Sequence, residues 1–474
     1  MTRKYDITIG IECHVQLKTK TKLFSEVDND ARGKEPNSCV SPVDYALPGM
    51  LPRLNGEAVK LAILAGSAMN AKINPTSRFD RKHYFYPDSP KGYQITQFYH
   101  PIVGEGYIEL PSGKKVRIEH AHLEGDAGKL THFDTYSLVD LNRVDTPLLE
   151  IVSMPDISSA EEARDYCKEL WRNMVYAGVT EGDLYNGNMR FDVNISLKLP
   201  EATELGTRAE IKNLNSFRSI ERAVAYEYER QSRILDSGEK VKQETRGWSD
   251  ATGKTTAQRS KEEAQDYRYM PEPDLPPLNL SRDFIKTEYE KCPALPADYR
   301  ARFKNTIPTD TLEVLLDYPE LISRLADIEN EKKPVDYVAN LFASVLLAEE
   351  NQSLLNDKLP EAYQLSELAE MKAKNQLSST AAKEVFIKLF ETKHSGKSAK
   401  DLAKELNLIQ ENDSAALEKI VDAVLANPAT KKAQDDYKAG EVKVLGFLVG
   451  QVMKESKGKA NPAAVSEILK NKLK

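Results

Sequence analysis

Four imidazole or carboxylate side chains recur at every second position of one short stretch. They are His120, His122, Glu124 and Asp126. If this stretch is a β-strand, all four project from one face of a sheet, because side chains alternate with a period of two. Imidazoles and carboxylates gathered in this way can bind a metal ion or exchange protons with a substrate. The same pattern is typical of the solvated face of an antiparallel sheet, so both interpretations stay open here.

A second pair of such residues lies near the start of the chain. In residues 5–17, Glu12 and His14 stand two positions apart among apolar residues, which predicts a strand with both on one face. Further on, Glu150 follows another apolar run. Together with Glu124, these residues give three carboxylates and one imidazole. This donor set favours Mg²⁺ or Mn²⁺ over Zn²⁺, which would take more His or Cys. The sequence supplies the candidate ligands without showing that they converge.

Two later runs, residues 189–197 and 208–212, alternate in the same way and predict further strands. Their polar positions are Arg190, Asp192, Asn194 and Ser196 in the first run, and Arg208, Glu210 and Lys212 in the second. Such a face suits a metal–phosphate group, because cations and metal-binding carboxylates neutralise phosphate charge. The P-loop spacing fails at Gly253, because the preceding Gly247 lies six positions away rather than five. If the protein uses ATP, its phosphates would therefore be held by metal, Lys and Arg on the sheet.

Helices must cover the apolar face of these strands. Apolar spacing and capping residues predict three helices, over residues 57–70, 157–178 and 216–236. The predicted fold class is α+β, with an antiparallel-sheet domain over residues 1–292. From residue 293 glycine becomes rare and apolar residues recur at helical spacing. This predicts an all-helical domain over residues 293–400 and a small helical tail domain over residues 401–474.

The tail has a local excess of positive charge. Residues 438–474 contain eight lysines and three acids. The candidate contacts to an RNA backbone are Lys443, Lys454, Lys457 and Lys459. A solvated, frayed tail is the alternative. Gly446 and Gly450, four positions apart, predict close packing against another helix.

Composition narrows the class of protein. The 474 residues are 40% hydrophobic and 29% charged, which is typical of a globular protein of about two to four domains. The net charge of −7 argues against a protein that coats nucleic acid non-specifically. None of the four cysteines has C-x-x-C spacing, which favours a reduced, cytoplasmic protein. We expect no signal peptide and no membrane span.

Several longer motifs resemble the B subunit of the aspartyl/glutamyl-tRNA(Asn/Gln) amidotransferase family, essentially along the whole chain. They lie at residues 9–17, 80–88, 122–129, 140–143, 210–217, 266–274 and 446–451. The resemblance implies a cradle-shaped catalytic domain that uses ATP and Mg²⁺ to phosphorylate the side-chain carboxylate of Glu-tRNA(Gln) or Asp-tRNA(Asn). It implies a heterotrimer, in which an amidase subunit supplies ammonia to displace the phosphate and a small third subunit straps the other two together. It further implies that the tail domain contacts tRNA.

The resemblance also assigns roles to residues. It implies that Mg²⁺ is held by Glu12, His14, Glu124 and Glu150. From motif membership and strand placement, the candidate phosphate contacts are Lys82, Lys129, Asn142 and Arg190. The candidate catalytic residues are Glu124, Asp192 and Arg190, while His120, His122 and Asp126 are left in supporting roles. The chain departs from the family pattern at Gly125, where relatives often carry another acid, and near Asp145, where a glycine is commoner.

Two other functions fit parts of the same pattern. A metal-dependent phosphohydrolase could use the same carboxylates, and it would release phosphate without charged tRNA or an ammonia donor. An RNA-binding scaffold could use the basic tail alone, and it would not need Glu124.

Overall fold

The computed structural model describes residues 4–260, 266–391, 394, 396–410, 414–456 and 460–473. The chain forms two compact units, Met1–Asp298 and Tyr299–Lys474. The domain boundaries expected after residues 292 and 400 stay predictions.

Strands of the described residues lie in the first unit. In chain order they are β1 (Asp6–Gln16), β2 (Thr76–Ser77), β3 (Asp80–His83), β4 (Tyr93–Thr96), β5 (Gly106–Glu109), β6 (Lys115–Gly125), β7 (Lys129–His132), β8 (Ser137–Asp140), β9 (Pro147–Ser153), β10 (Met189–Lys198), β11 (Ala209–Leu214), β12 (Glu244–Ser249), β13 (Lys254–Ser260), β14 (Met270–Pro271) and β15 (Leu278–Asn279). Eight of them form one sheet in the order β13-β12-β11-β10-β1-β9-β6-β5. Three small sheets, β14-β3-β4, β15-β2 and β7-β8, complete the described strands.

Helices occur in both units. In chain order the α-helices of the described residues are α1 (Gly56–Ala68), α2 (Ala160–Tyr176), α3 (Phe217–Asp236), α4 (Arg282–Tyr289), α5 (Pro296–Phe303), α6 (Thr309–Leu315), α7 (Pro319–Asn330), α8 (Asp336–Leu341), α9 (Ala362–Ala373), α10 (Ser379–Lys388), α11 (Ala399–Glu405), α12 (Ser414–Ala426), α13 (Lys431–Lys438), α14 (Leu445–Glu455) and α15 (Pro462–Lys472). A π-helical turn, Phe342–Leu346, continues α8. The predicted α+β fold class is confirmed.

The large sheet is antiparallel at every neighbouring pair except one. Strands β11 and β12 pair in parallel, with Ala209 opposite Glu244. The reason is the long helix α3 between them in sequence, because a parallel pair needs a crossover connection rather than a tight turn. The predicted antiparallel sheet therefore contains one parallel pair.

The predicted alternation decides which face of the sheet is buried. In β1 every second residue, from Ile7 to Val15, is buried, while the residues between them are less buried. The buried residues of β1 share one hydrophobic core with those of α1, α2 and α3. Ser159 and Ser216 cap the starts of α2 and α3, where each side chain accepts a backbone N–H bond. The helices thus cover the apolar face and leave the polar face of the sheet for the site.

The second unit consists of helices and the loops between them, and its described residues form no strand. Its C-terminal part has a hydrophobic core that includes Leu448 and Val452 of α14. Gly446 and Gly450 lie on the exposed side of α14, where an added Cβ would meet no atom within 4 Å. The prediction that these glycines pack closely against another helix is therefore wrong within the described residues. Among the helices described in the two units, none is long and apolar enough to cross a membrane.

Candidate active site

A cavity of about 600 Å³, the main cavity, opens on the polar side of the large sheet. Chemically active side chains dominate its lining. They include His14, Lys82, Lys91, Glu124, Asp126, Asp145, Arg190, Asp192 and Lys212. The cavity therefore combines carboxylates, imidazole and cations, as the alternation of the strands predicted.

Strand register brings three of the four predicted metal ligands together. His14 of β1 lies opposite Glu150 of β9, and β9 pairs on its other side with β6, which carries Glu124. His14 Nε2 lies 3.5 Å from Glu124 Oε1 and 3.6 Å from Glu150 Oε2. One ligand atom from each of the three residues lies within 4.8 Å of the others. We call this group the His–Glu cluster.

His122 belongs to the same group of side chains, although the sequence argument gave it only a supporting role. Its Nε2 lies 3.2 Å from Glu150 Oε2 and 3.7 Å from Glu124 Oε2. His122 is buried, and its Nδ1 has no hydrogen-bond partner among the described residues. The alternation on β6 was the signal for His122, since it shares a face with Glu124.

In the His–Glu cluster, the carboxylates change the pKa values of the two imidazoles, and the imidazoles change that of Glu150. Burial by itself lowers the pKa of His122, but hydrogen bonds to Glu124 and Glu150 raise it to about 9. The pKa of His14 is also raised, because Glu150 and Glu124 outweigh the effect of burial. Burial would raise the pKa of Glu150, yet the two imidazoles hold it well below its usual value. Without a cation, the imidazoles therefore carry the compensating positive charge.

The raised pKa of His122 predicts a pH dependence of stability. In metal-free protein, the folded state keeps this proton up to about pH 9, whereas the unfolded chain releases it near pH 6.5. The stabilisation is complete below pH 6.5 and is lost as the pH rises through 9. We expect the melting temperature in EDTA to fall by at least about 3 °C over this range. In the His122→Asn variant the fall should be clearly smaller.

Thermal unfolding followed by circular dichroism measures this effect. The matched control is His132→Asn, because His132 is exposed on β7. It should keep the parent's pH profile. An equal slope in the His122→Asn and parent proteins would contradict the assignment.

A second group of carboxylates lies beside the first. Glu12 of β1 lies opposite Asp192 of β10, and one ligand atom each from Glu12, Asp192 and Glu210 lies within 4.8 Å of the others. We call these three residues the carboxylate cluster. Lys212 Nζ lies 2.7 Å from Asp192 Oδ2 and 3.0 Å from Glu210 Oε1. The structure thus places the predicted ligand Glu12 with this second cluster. Glu210 lies on the predicted polar face, but the sequence does not mark it as a site residue.

Both clusters fit hard divalent cations. Carboxylate oxygens dominate the donor set, as Mg²⁺ requires. The pKa of Glu12 is raised first by burial and then by the negative charge of Glu150. A cation between the clusters would relieve this repulsion. Donor chemistry and electrostatics therefore both fit Mg²⁺.

Two predicted phosphate contacts, Lys82 and Arg190, line the main cavity. Burial alone would lower the pKa of Lys82, but nearby negative charge, chiefly that of Glu124, raises it. The Lys82 ammonium also lies 5.0 Å from the centre of the Tyr267 ring. An Arg190 N–H donates to Asp126 Oδ2 at 3.2 Å. Both cations thus have partners in the wall of the cavity that His14 and Glu124 also line.

The other two predicted phosphate contacts lie elsewhere. Lys129 and Asn142 line a separate cleft of about 360 Å³. The Asn142 side chain accepts a bond from the Cys39 backbone N–H at 2.8 Å and donates to the Glu35 carbonyl at 2.8 Å. The Asn142 amide therefore holds the loop that contains Glu35 and Cys39 in place. The structure does not bring Lys129 and Asn142 to the metal clusters.

Models of known families match both parts of the chain. One, described as the GatB/GatE catalytic domain, covers residues 7–286, and another, described as a GatB domain, covers residues 323–473. The chain belongs to the GatB family. The resemblance stated from the sequence motifs is therefore confirmed.

Whole-chain relatives agree with the GatB assignment. The B subunit of the aspartyl/glutamyl-tRNA(Asn/Gln) amidotransferase from Thermotoga maritima is 42% identical over 485 residues, covering 99% of each chain. The corresponding protein of Geotalea daltonii is 43% identical over 483 residues, with the same coverage. That of Herpetosiphon aurantiacus is 42% identical over 485 residues, again covering 99% of each chain.

The predicted tRNA contacts lie in the C-terminal part of the GatB chain. Lys443 precedes α14 and Lys454 lies in its last turn, and both are exposed. Lys457 and Lys459 lie outside the described residues. All four stay predicted contacts.

Proposed function

We propose that this chain is the activating and amidating subunit of a tRNA-dependent amidotransferase. In the proposed reaction it phosphorylates the side-chain carboxylate of Glu-tRNA(Gln) or Asp-tRNA(Asn) with ATP. It then converts the acyl phosphate into the amide of Gln-tRNA(Gln) or Asn-tRNA(Asn). One observation carries the proposal: in a GatB-family chain, two adjacent clusters of metal-binding side chains each have a member in the lining of one cavity, which two half-buried cations also line.

The proposed reaction consists of two transfers. A carboxylate oxygen of the aminoacyl group attacks the γ-phosphorus of ATP, the bond to the bridging oxygen breaks, and ADP leaves. Ammonia then attacks the acyl carbon, the carbon–oxygen bond breaks, and the released phosphate takes up the proton that the nitrogen loses. Activation is needed because a carboxylate oxygen is a poor leaving group. A site for these transfers must position the reactants and neutralise phosphate charge.

The two clusters and the cations that line the main cavity can perform these tasks. The His–Glu cluster and the carboxylate cluster would hold Mg²⁺, which neutralises charge on the transferred phosphoryl group when bound. Lys82 and Arg190 supply fixed positive charge in the same cavity. Asp126 holds Arg190 and so limits its motion. Asp192 and Lys212 form an ion pair that orients the second cluster.

We propose that the chain works in a heterotrimer with an amidase subunit, which would supply ammonia, and with a small third subunit. Ammonia must reach the main cavity without mixing into bulk water, where it would be protonated. The tRNA would make a second contact through the lysines of the tail, since positive charge there binds phosphates without reading sequence. The names of the relatives support this assignment, because each is named as the B subunit of an amidotransferase.

Amidation by the reconstituted heterotrimer tests the proposal. Charged Glu-tRNA(Gln) and Asp-tRNA(Asn) are each incubated with glutamine, with and without ATP and Mg²⁺, and the amide product and ADP are measured. Ammonium chloride replaces glutamine in a parallel reaction, so that the amidase step is not needed. We expect amide only with ATP, and one ADP for each amide.

The same assay separates the alternatives. Phosphate release that is independent of charged tRNA would favour a phosphohydrolase. Full activity without ATP would overturn the proposed function.

A further inference from the structure

The glycine that ends β6 lies against another residue of the main cavity. A Cβ added to Gly125 would lie 2.6 Å from Asp145 Oδ1 and 3.2 Å from Asp145 Cα. The second atom belongs to the backbone, so a side-chain rotation could not remove this close approach. Gly125 is not among the residues with positive φ. Space, rather than backbone conformation, therefore disfavours a side chain at position 125.

Hydrogen bonds fix the two segments against each other. The Asp145 N–H donates to the Asp126 carbonyl at 3.0 Å, and the Asp126 N–H donates to the Thr146 carbonyl at 3.0 Å. Asp145 adopts a left-handed conformation with φ of 57°, which Asp and Asn tolerate better than most residues. The backbone at residue 145 therefore cannot easily move away from Gly125. The two departures from the family pattern noted above are thus in direct contact.

The Asp145 carboxylate forms an ion pair with Lys91 Nζ, and both residues line the main cavity. Their side chains are only 6% and 8% exposed. Burial raises the pKa of Asp145, and the charge of Lys91 opposes this rise. A buried charge that loses its partner is strongly disfavoured, so each member of the pair fixes the other.

We propose that Asp145 is a positioning residue that holds Lys91 in the main cavity, and that positions 125 and 145 share one side-chain slot. The inference rests on the proposed function for its catalytic part. The Lys91 ammonium group lies on the side of the main cavity that Gly125 lines, and Gly125 follows Glu124 in the chain. A donor that is already held in place stabilises developing negative charge without reorganising during the reaction.

The shared slot is tested by thermal unfolding of Gly125→Ala, Asp145→Gly and the double variant. In the parent background, Gly125→Ala should lower the melting temperature by about 3–8 °C, because it overpacks the slot. In the Asp145→Gly background the same change should have a clearly smaller effect, because the contact with the carboxylate is gone and only the 3.2 Å approach to Cα remains. The control is Gly56→Ala, where the added Cβ meets no atom within 4 Å. Equal shifts in both backgrounds would refute the shared slot. This comparison needs no enzymatic activity, so it stands apart from the proposed function.

The positioning role is tested by amidation kinetics of the complete heterotrimer. The double variant Lys91→Met/Asp145→Asn removes both charges and leaves no unpaired buried charge, and Asn tolerates the backbone of residue 145. We expect kcat/KM for aminoacyl-tRNA to fall by about tenfold or more in this variant and in Asp145→Asn alone. If the pair were merely structural, the double variant would keep the parent's kcat/KM.

A second buried ion pair provides the matched control. Lys22 and Asp44 are fully buried, with Nζ and Oδ2 3.3 Å apart, and neither lines the main cavity. Lys22→Met/Asp44→Asn removes the same two kinds of charge and leaves the Lys91–Asp145 pair in place. Lys22 and Asp44 act on the pKa of Asp145 in opposite directions, so removing both charges leaves Asp145 nearly unchanged. The variant should therefore keep kcat/KM within about twofold of the parent. An equal loss in both double variants would overturn the positioning role. An unchanged kcat/KM in Lys91→Met/Asp145→Asn would overturn it as well.

Discussion

Glu124→Gln is expected to lower the kcat of ATP-dependent amidation by at least about 10³-fold. The glutamine keeps the size of the side chain but removes the negative charge that faces His14 and His122. The His–Glu cluster would then hold a divalent cation with a single carboxylate, that of Glu150. Because this cation would neutralise the transferred phosphoryl group, the loss should appear in formation of the acyl phosphate.

Two measurements on the Glu124→Gln heterotrimer separate this effect from a folding defect. Formation of ADP that depends on charged tRNA reports the first transfer, and binding of Mn²⁺ followed by electron paramagnetic resonance reports the cation. Both should fall, while the circular dichroism spectrum stays that of the parent. Glu119→Gln is the matched control, because Glu119 is an exposed residue of the same strand. Normal ADP formation in Glu124→Gln would exclude the His–Glu cluster as the activating site.

Arg190→Ala is expected to lower kcat by about 100-fold or more. The Arg190 guanidinium lines the main cavity, and the negative charge of Asp126 raises its pKa, so it stays positive at any working pH. A fixed cation at this place stabilises the charge that develops on the phosphoryl group. The loss should therefore appear in kcat more than in the KM for tRNA.

Arg143→Ala is the matched control for Arg190. Arg143 Nε lies 3.0 Å from Asp126 Oδ2, the same carboxylate oxygen that Arg190 contacts at 3.2 Å. Arg143, however, lines the separate cleft rather than the main cavity. Arg143→Ala should therefore lower kcat by less than about fivefold, because the loss of a surface ion pair costs at most about 1 kcal/mol. If both variants lose activity equally, Arg190 acts through Asp126 and not on the phosphoryl group.

The sequence by itself determined which side chains lie on the same face of each strand and can take part in one site. A period of two places Glu12 and His14 on one face of β1, and it does the same for Arg190 and Asp192 on β10, whatever the neighbouring strands are. Helix caps are equally local, since Ser216 needs only the following turn to accept its bond. The predicted strands and helices of the first unit are therefore found close to their expected positions.

Only the tertiary structure decided how these side chains group, because strand register and order depend on contacts far apart in sequence. The central place of β1, between β9 and β10, puts Glu12 opposite Asp192 and His14 opposite Glu150. Glu12 and His14, the two predicted ligands on β1, therefore belong to two different clusters.

Packing between distant segments also decides whether residues that are close in the sequence lie close together in the fold. Lys129 belongs to the same motif as Glu124, yet it lies in a separate cleft, because β7 leaves the large sheet and pairs only with β8 among the described strands. In the sequence, nothing links Gly125 with Asp145. They occupy one slot in the fold, because the hydrogen bonds between residues 126, 145 and 146 join their segments.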